Sequence, residues 1–178
     1  MQVQEDSIEG GALHSQEIEQ YLTFMLGGKV YGLAILNIKE IIEYGDITEV
    51  PMTPDFISGV INLRGNVVPV VDLSQRFSGQ AMQQTKRTSI IILEVKNDDL
   101  RIEIGVTVDM VNEVLDIPMG EIEAAPSLGN QIQTNFISGM AKMNGKLLIL
   151  LDIEHVLSID ELSVIGGIQH DSSETVID

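Results

Sequence analysis

The sequence contains neither cysteine nor tryptophan, and aromatic residues make up only 4% of the chain. Without cysteine the chain forms no disulfide and offers no thiolate for catalysis or metal binding, which fits a reducing compartment. So few aromatic side chains argue against an aromatic cage, a base-stacking platform or a sugar-binding surface. The core must therefore be built from valine, isoleucine, leucine and methionine.

Positive charge is also scarce, because 10 lysines and arginines face 27 acidic residues and the net charge is -17. A nucleic-acid surface needs a dense patch of cations, so no nucleic-acid partner is expected. No apolar run approaches the roughly 18–20 residues of a membrane span, and the acidic N-terminal residues do not resemble a signal peptide. We expect a cytoplasmic protein without direct membrane insertion, with mobile acidic tails at residues 1–19 and 169–178.

One phrase occurs twice in the chain. The stretch FISGVINLRGNVVPVVDL (Phe56–Leu73) returns in the second half as FISGMAKMNGKLLILLDI (Phe136–Ile153), with six of 18 positions identical and apolar residues exchanged for apolar residues towards its end. A second match, with a slightly shorter offset, relates YGLAILNIKEII (Tyr31–Ile42) to IGVTVDMVNEVL (Ile104–Leu115). The two matches indicate an internal duplication of one unit.

Apolar and β-branched runs around short turns predict four β-hairpins, with turns at 27–28, 64–66, 97–99 and 144–145. The segment NIKEIIEY favours a strand over a short helix, since it contains adjacent isoleucines. Short helical segments are expected after Asp72 and over residues 154–168. The fold class is therefore mainly β, with two similar units at residues 20–85 and 86–168 that close as small barrels or sandwiches.

No catalytic constellation emerges from the sequence. His14 and His170 fall in the predicted tails, and His155 lacks a second histidine at metal-ligand spacing. Asp72 and Asp152 occupy the same place in the repeated phrase, which favours helix capping over a pair of catalytic acids. We therefore expect a non-catalytic binding module without cofactor or metal, and keep an enzyme using Asp72, Asp152 or His155 as the weaker hypothesis.

The order VYGLAILNIKEII, ITEVPMTPDFISGVINLRGNVVPVVDL, IGVTVDMVNEVLDI and LLILLDI resembles the CheW family of chemotaxis coupling proteins over residues 20–157. The resemblance implies two SH3-like β-barrel subdomains that can exchange strands. It also implies a non-catalytic adaptor that joins the cytoplasmic tip of a chemoreceptor (a methyl-accepting chemotaxis protein) to the regulatory domain of the histidine kinase CheA. The receptor tip is then expected in a groove between the subdomains.

Residue by residue, the resemblance assigns partner binding to Ile38, Glu40, Gly59, Asn62, Arg64 and Gly65. Arg64 is the strongest candidate, because a guanidinium on a turn can fork to helix-end carbonyls or to a partner carboxylate. Purely structural explanations fit the same residues. Arg64 could be a solvated turn residue, the two glycines could serve the backbone, Ile38 could be core, and Glu40 recurs as Glu113, which favours a structural role.

A second functional hypothesis keeps the same fold but engages fewer partners. The chain would then be an adaptor or decoy of a non-flagellar chemosensory pathway that binds only the receptor or only the kinase. The sequence does not assign the pathway.

Overall fold

A computed structural model of the protein describes residues 17–97, 99–124, 136–156 and 161. The described chain consists mostly of β-strands, which confirms the predicted fold class. Its strands are β1 (Ile18–Leu26), β2 (Lys29–Ala34), β3 (Ile38–Glu43), β4 (Ile57–Leu63), β5 (Asn66–Asp72), β6 (Ser89–Asn97), β7 (Leu100–Val108), β8 (Met110–Pro118), β9 (Ile122–Glu123), β10 (Ile137–Met143) and β11 (Lys146–Leu151). Its short helices are α1 (Leu73–Ser78), α2 (Ile153–Val156) and the 3-10 turns Ile35–Asn37 and Met119–Glu121.

The four predicted hairpins are present as β1–β2, β4–β5, β6–β7 and β10–β11, and NIKEIIEY contains a strand. Strand β1 includes Ile18 and Glu19, which the sequence interpretation assigned to the tail, because they pair with Pro118 and Ile117 of β8. Residues 1–16, the tail at 169–178 and most of the predicted C-terminal helix lie outside the described residues.

In the described chain the strands form two sheets. Strands in the order β3-β6-β7-β5-β4 form the sheet called barrel 1 here, and strands in the order β8-β1-β2-β11-β10-β9 form barrel 2. A bridge between Thr48, which follows β3, and Val60 in β4 joins the two edges of barrel 1. In barrel 2 the chain passes from the edge strand β8 to the opposite edge strand β9 through one 3-10 turn. This closure is consistent with the predicted SH3-like barrels.

Strand pairing crosses the middle of the chain in both directions. Hairpin β1–β2 comes from the first repeat but joins barrel 2, whereas hairpin β6–β7 comes from the second repeat but joins barrel 1. Parallel pairs complete each barrel, with Gly32 opposite Leu150 in one and Gly105 opposite Val70 in the other. These two pairs occupy matching positions of the sequence repeat. The division at residues 85 and 86 into two separate subdomains stays a prediction.

Three apolar clusters form the core. One fills the interior of each barrel, around Leu150 in barrel 2 and around Val70 in barrel 1. The third cluster lies between the barrels and combines residues of both sheets, including Phe24 and Leu33 from barrel 2 and Leu93 and Val106 from barrel 1. No helix in the described residues combines the length and apolar character that a membrane span requires.

Gly59 allows barrel 1 to close. Its φ of +150° is rare for residues with a side chain, and a Cβ there would meet the backbone oxygen of Thr48 and lie 2.8 Å from Ile47 Cγ2. Thr48 and Val60 exchange two backbone hydrogen bonds of 2.8 Å beside this position. Any side chain at residue 59 must therefore push the closing segment away from β4.

We predict that Gly59→Ala lowers the free energy of unfolding by about 3–5 kcal/mol, because backbone strain and a steric clash add at one position. Denaturant unfolding followed by circular dichroism measures the change. Gly65→Ala is the matched control, since Gly65 also has a positive φ of +87°, but a Cβ added there would have no neighbouring atom within 4 Å. The control should lose only about 1–2 kcal/mol. Equal losses in the two variants would contradict the role assigned to Gly59.

Candidate partner-binding site

The turn between β4 and β5 places Arg64 at the surface in an unusual backbone conformation. Arg64 and Gly65 have φ values of +51° and +87°, and the equivalent Asn144 and Gly145 have values of +54° and +79°. Two successive positive φ values define the type I′ hairpin turn, which favours Asn-Gly because asparagine tolerates the left-handed region. The second repeat has the expected residues, whereas Arg64 occupies a position that local folding does not favour for arginine.

Arg64 makes a two-pronged ion pair within the chain. Its Nη1 donates to Glu40 Oε1 at 2.8 Å, and its Nη2 donates to Glu40 Oε2 at 3.0 Å. The Arg64 side chain is nevertheless 78% exposed, against 28% for Glu40. Arg64 is therefore neither free in solvent nor buried, because a carboxylate of the same chain fixes the orientation of its guanidinium plane.

Barrel closure brings these two residues together. Glu40 lies in β3 and Arg64 follows β4, and these strands are the opposite edges of the five-stranded sheet. The Thr48–Val60 bridge joins the edges and so places the β4–β5 turn beside β3. Hairpin geometry alone contains no signal for a contact between residues this far apart in the sequence.

The other predicted positions support this arrangement. Asn62 Oδ1 accepts a hydrogen bond of 2.9 Å from the Gly65 backbone N–H, which stabilises the turn that presents Arg64. Ile38 is half-buried and packs against the core cluster between the barrels. Gly59 lies beneath the segment that closes barrel 1. The structure thus groups Glu40, Asn62, Arg64 and Gly65, and it gives Ile38 and Gly59 scaffold contacts.

Exposed apolar residues next to Glu40 were not predicted from the sequence. Ile41 is 44% exposed in β3, and Leu36, in the 3-10 turn just before β3, is 85% exposed. The strand alternation contained this signal for Ile41, since period two places it on the same outward face as Lys39 and Glu43. The same alternation places Glu40 on the opposite face of β3, so it separates Ile41 from the Arg64–Glu40 pair.

Arg64 perturbs the titration of its partner. The hydrogen bond from Arg64 lowers the pKa of Glu40, and the charges of Arg64 and Lys39 lower it further against an opposing effect of desolvation. Reciprocally, the hydrogen bond and charge of Glu40 raise the pKa of Arg64. When the pH of the solution equals the ordinary pKa of a glutamate, Glu40 is therefore still mostly ionised and the ion pair persists. The pair is lost only as the pH falls through the lowered pKa of Glu40.

Asp72 and Asp152 act as helix caps, as their repeated position predicted. Asp72 Oδ1 accepts from the Gln75 backbone N–H at 3.2 Å, and Asp72 Oδ2 accepts from the Met82 backbone N–H at 3.0 Å. Asp152 Oδ1 accepts from the Glu154 backbone N–H at 3.1 Å. Each carboxylate thus accepts from a backbone N–H in the first turn of the helix that follows it, which accounts for the identity of Asp72 and Asp152 in the two repeats.

The His155 side chain lies within hydrogen-bond distance of Asp152. Its Nδ1 lies 2.7 Å from Asp152 Oδ2 at the exposed start of α2. Within the described residues there is no group of three histidine, cysteine or acidic side chains placed to hold a metal ion.

A cavity of about 500 Å³ near Asp72 lies between the segment after β3 and the segment after α1, and its lining includes the acidic side chains of Glu49 and Asp55.

These observations define a class of protein: a pair of barrels without a catalytic cluster in the described residues, which presents an oriented, exposed arginine on a left-handed turn. The pattern of the CheW-like domain matches residues 20–161. The chain is 36% identical over 150 residues to the chemotaxis protein CheW of Klebsiella aerogenes, covering 84% of this chain and 88% of that protein. It is 37% identical over 140 residues to the chemotaxis protein CheW of Bacillus subtilis, covering 78% and 86%.

A solved structure agrees with the sequence comparisons. The crystal structure of the scaffolding protein TtCheW from Thermoanaerobacter tengcongensis superposes with a TM-score of 0.72 at 34% identity, covering 83% of this chain and 93% of that one. The chain belongs to the CheW-like family, whose members are chemotaxis scaffold and adaptor proteins rather than enzymes. Both the predicted family and the predicted absence of catalysis are thereby confirmed, and the enzyme hypothesis is set aside.

We predict that Arg64→Asn raises the pKa of Glu40, because the variant removes both the hydrogen bond and the neighbouring positive charge. The titration of the Glu40 side-chain carboxyl carbon, followed by NMR, measures the shift. Lys39→Gln is the control, since Lys39 lowers the pKa of Glu40 by charge alone and less strongly. The assignment is wrong if the midpoint of Glu40 is the same in the native chain and in Arg64→Asn.

Proposed function

We propose that the chain is a cytoplasmic adaptor that couples chemoreceptors to the histidine kinase CheA in chemosensory arrays. It would bind the cytoplasmic hairpin tip of the receptor and the regulatory domain of the kinase, and it would reach the membrane-associated array only through these partners. Membership of the CheW-like family supports the adaptor role. The observation that carries the finer proposal is the exposed, oriented Arg64 on the left-handed turn of barrel 1.

The repeat provides an internal comparison for Arg64. The second repeat builds the same turn with Asn144 and Gly145, so the fold does not require arginine there. Arginine in the left-handed region costs conformational energy, and an exposed ion pair in water offsets such a cost poorly. A residue that folding does not need and that is oriented by a neighbouring carboxylate is best explained by recognition of a partner.

The chemistry of the surface fits a protein partner. Glu40 occupies only two of the five N–H donors of the guanidinium, so the remaining donors can bind carbonyl or carboxylate oxygens. Exposed apolar area is available at Ile41 in β3 and at Leu36 just before β3. Arginine and large apolar residues dominate the binding energy of protein interfaces. Fixing the guanidinium before binding reduces the entropy that association must remove.

A groove between the barrels supports helix binding. A cavity of about 210 Å³ lies between the β1–β2 turn of barrel 2 and α1, and its apolar lining includes Leu26, Tyr31 and Phe77. Receptor tips are helical hairpins, and a cavity of this size fits one apolar anchor residue of an amphipathic helix that lies along the junction of the barrels. We assign the receptor tip to this groove, in line with the expectation from the family resemblance.

We predict that Arg64→Asn weakens binding to at least one of the two partners by about ten-fold or more, since charge-assisted hydrogen bonds at an interface are lost. Isothermal titration against the receptor tip and the CheA regulatory domain measures the effect. The melting temperature should change little, because asparagine suits this turn. The matched control is Arg101→Asn, which removes another exposed, ion-paired arginine of barrel 1. Equal affinity of Arg64→Asn and the native chain for both partners contradicts the proposal.

This substitution is a cleaner test than a change at Gly59. A side chain at residue 59 clashes with the closing segment, so Gly59→Asp would reduce binding by disturbing the barrel even if Gly59 touched no partner. Arg64→Glu is a more severe variant, because it reverses the charge at residue 64 and places a second carboxylate beside Glu40. It should abolish any binding that depends on positive charge.

We predict that the native chain raises CheA autophosphorylation when receptor is present, because an adaptor must hold both partners together. Phosphate incorporation into CheA, measured at increasing concentrations of the chain, tests this directly. A decoy that engages one partner would only lower the activity. A chain that lowers activity at every concentration would support the alternative of a single-partner protein, and Arg64→Asn should activate at higher concentrations than the native chain.

A further inference from the structure

The mouth of barrel 2 contains an open cavity that the proposed function does not use. Its volume is about 210 Å³. Val30, Leu115, Met143 and Leu148 form its apolar lining, and Glu113 is one of the polar residues at its rim. Small-molecule sites in proteins usually measure about 300–1,000 Å³. This cavity is smaller and open to solvent, so a single side chain of another protein is a better fit than a cofactor.

The repeat shows which side chains are missing there. In barrel 1 two ion pairs cover the equivalent position: Arg64 pairs with Glu40, and Lys39 Nζ lies 3.0 Å from Glu103 Oε2. The repeat offsets place Asn144, Glu113, Asn112 and Val30 at the corresponding positions of barrel 2, and all four residues line the cavity. Three of the four charged residues are thus replaced by uncharged ones, and only the carboxylate of Glu113 is kept.

Strand pairing supports the equivalence of Glu113 and Glu40. Glu40 lies opposite Ile92 across β3 and β6, next to a shift in register. Glu113 lies beside Thr23 across β8 and β1, also at a shift in register, and Thr23 Oγ1 bonds to both the backbone oxygen and the backbone N–H of Glu113. The backbone of Glu113 is therefore fixed, while its carboxylate has no hydrogen bond or ion pair with any described residue.

We propose that the mouth of barrel 2 binds an arginine on a turn of a partner protein, with its guanidinium forked on Glu113. Arg64 provides this contact to Glu40 within barrel 1, and the partner arginine would provide it to Glu113 from outside. Charge complementarity and shape both favour arginine: its methylene stem suits the apolar lining, and its planar head matches a carboxylate in two-pronged geometry. A lysine ammonium offers only a point charge.

One neighbouring charge opposes this binding and provides an independent test. Lys146 also lines the cavity and is exposed. The positive charge of its ammonium repels an incoming guanidinium, because the two charges would lie closer together than the screening length of physiological salt, about 8 Å. Removing the charge of Lys146 should therefore strengthen binding, whereas removing the charge of Glu113 should weaken it. A purely structural role for either residue does not produce these opposite effects.

The probe is a disulfide-closed peptide that presents Asn-Leu-Arg-Gly-Asn, the turn sequence that covers the mouth of barrel 1. Titrated into the full-length, isotope-labelled chain, it should shift the NMR signals of Thr23, Val30, Leu115 and Leu148. A peptide with citrulline in place of arginine keeps the shape without the charge, and it should bind about ten-fold more weakly or worse. Shifts that map to barrel 1 instead would overturn the proposal.

Three variants of the chain complete the test. Glu113→Gln should weaken binding of the arginine peptide about ten-fold and leave binding of the citrulline peptide unchanged. Lys146→Gln should strengthen binding of the arginine peptide. Asn144→Arg should pair with Glu113 within the chain, as Arg64 does with Glu40, and so abolish binding while the fold is retained. The proposal is overturned if Glu113→Gln binds both peptides like the native chain, or if no cavity signal shifts at about 10 mM peptide.

Discussion

The reciprocal exchange of hairpins between the two barrels is the constraint on which the rest of the structure depends. Parallel pairing of β2 with β11 and of β5 with β7 makes each barrel from strands of both repeats. Neither barrel is complete without the other half of the chain, so the barrels cannot separate while their sheets stay intact. The partner-binding surface of barrel 1 and the open mouth of barrel 2 are therefore held on one body, which suits a protein that positions partners relative to one another.

The scarce aromatic residues are concentrated where the barrels meet. All four phenylalanines belong to the cluster between the sheets, either buried within it or packed against it. Phe24 stacks on Tyr31 at a centroid distance of 5.8 Å, Tyr31 lies 6.0 Å from Phe77, and Phe77 lies 5.0 Å from Phe136. Helix α1 carries Phe77 and so connects residues of both repeats. Large rigid rings fill the irregular space between two curved sheets, whereas branched aliphatic residues make up most of the barrel interiors, with Tyr21 the one ring buried in the barrel 2 cluster.

Duplication separates scaffold from function. Two identical pairs of positions have structural explanations: Asp72 and Asp152 cap helices, and Gly59 and Gly139 lie against the segments that close their barrels. At the barrel mouths three of the four compared positions differ: barrel 1 pairs Arg64 with Glu40 and Lys39 with Glu103, whereas barrel 2 has a cavity that keeps only the carboxylate of Glu113. Because the two mouths have the same backbone conformation, their side chains can differ and so bind different partners without altering the fold.

The sequence by itself determined the duplication, the hairpins, the helix caps and the family, because these depend on local patterns: alternation along strands, turn residues such as Asn144 and Gly145, and repeated phrases at fixed offsets. It also identified Arg64, where the second copy of the phrase has asparagine, as the strongest candidate for partner binding. Only the tertiary structure decided which hairpins exchange between the barrels, since parallel pairing leaves no local signature in either strand. It also decided that Arg64 meets Glu40 and that Gly59 is a closure residue, because those contacts form only when opposite edges of a sheet are brought together.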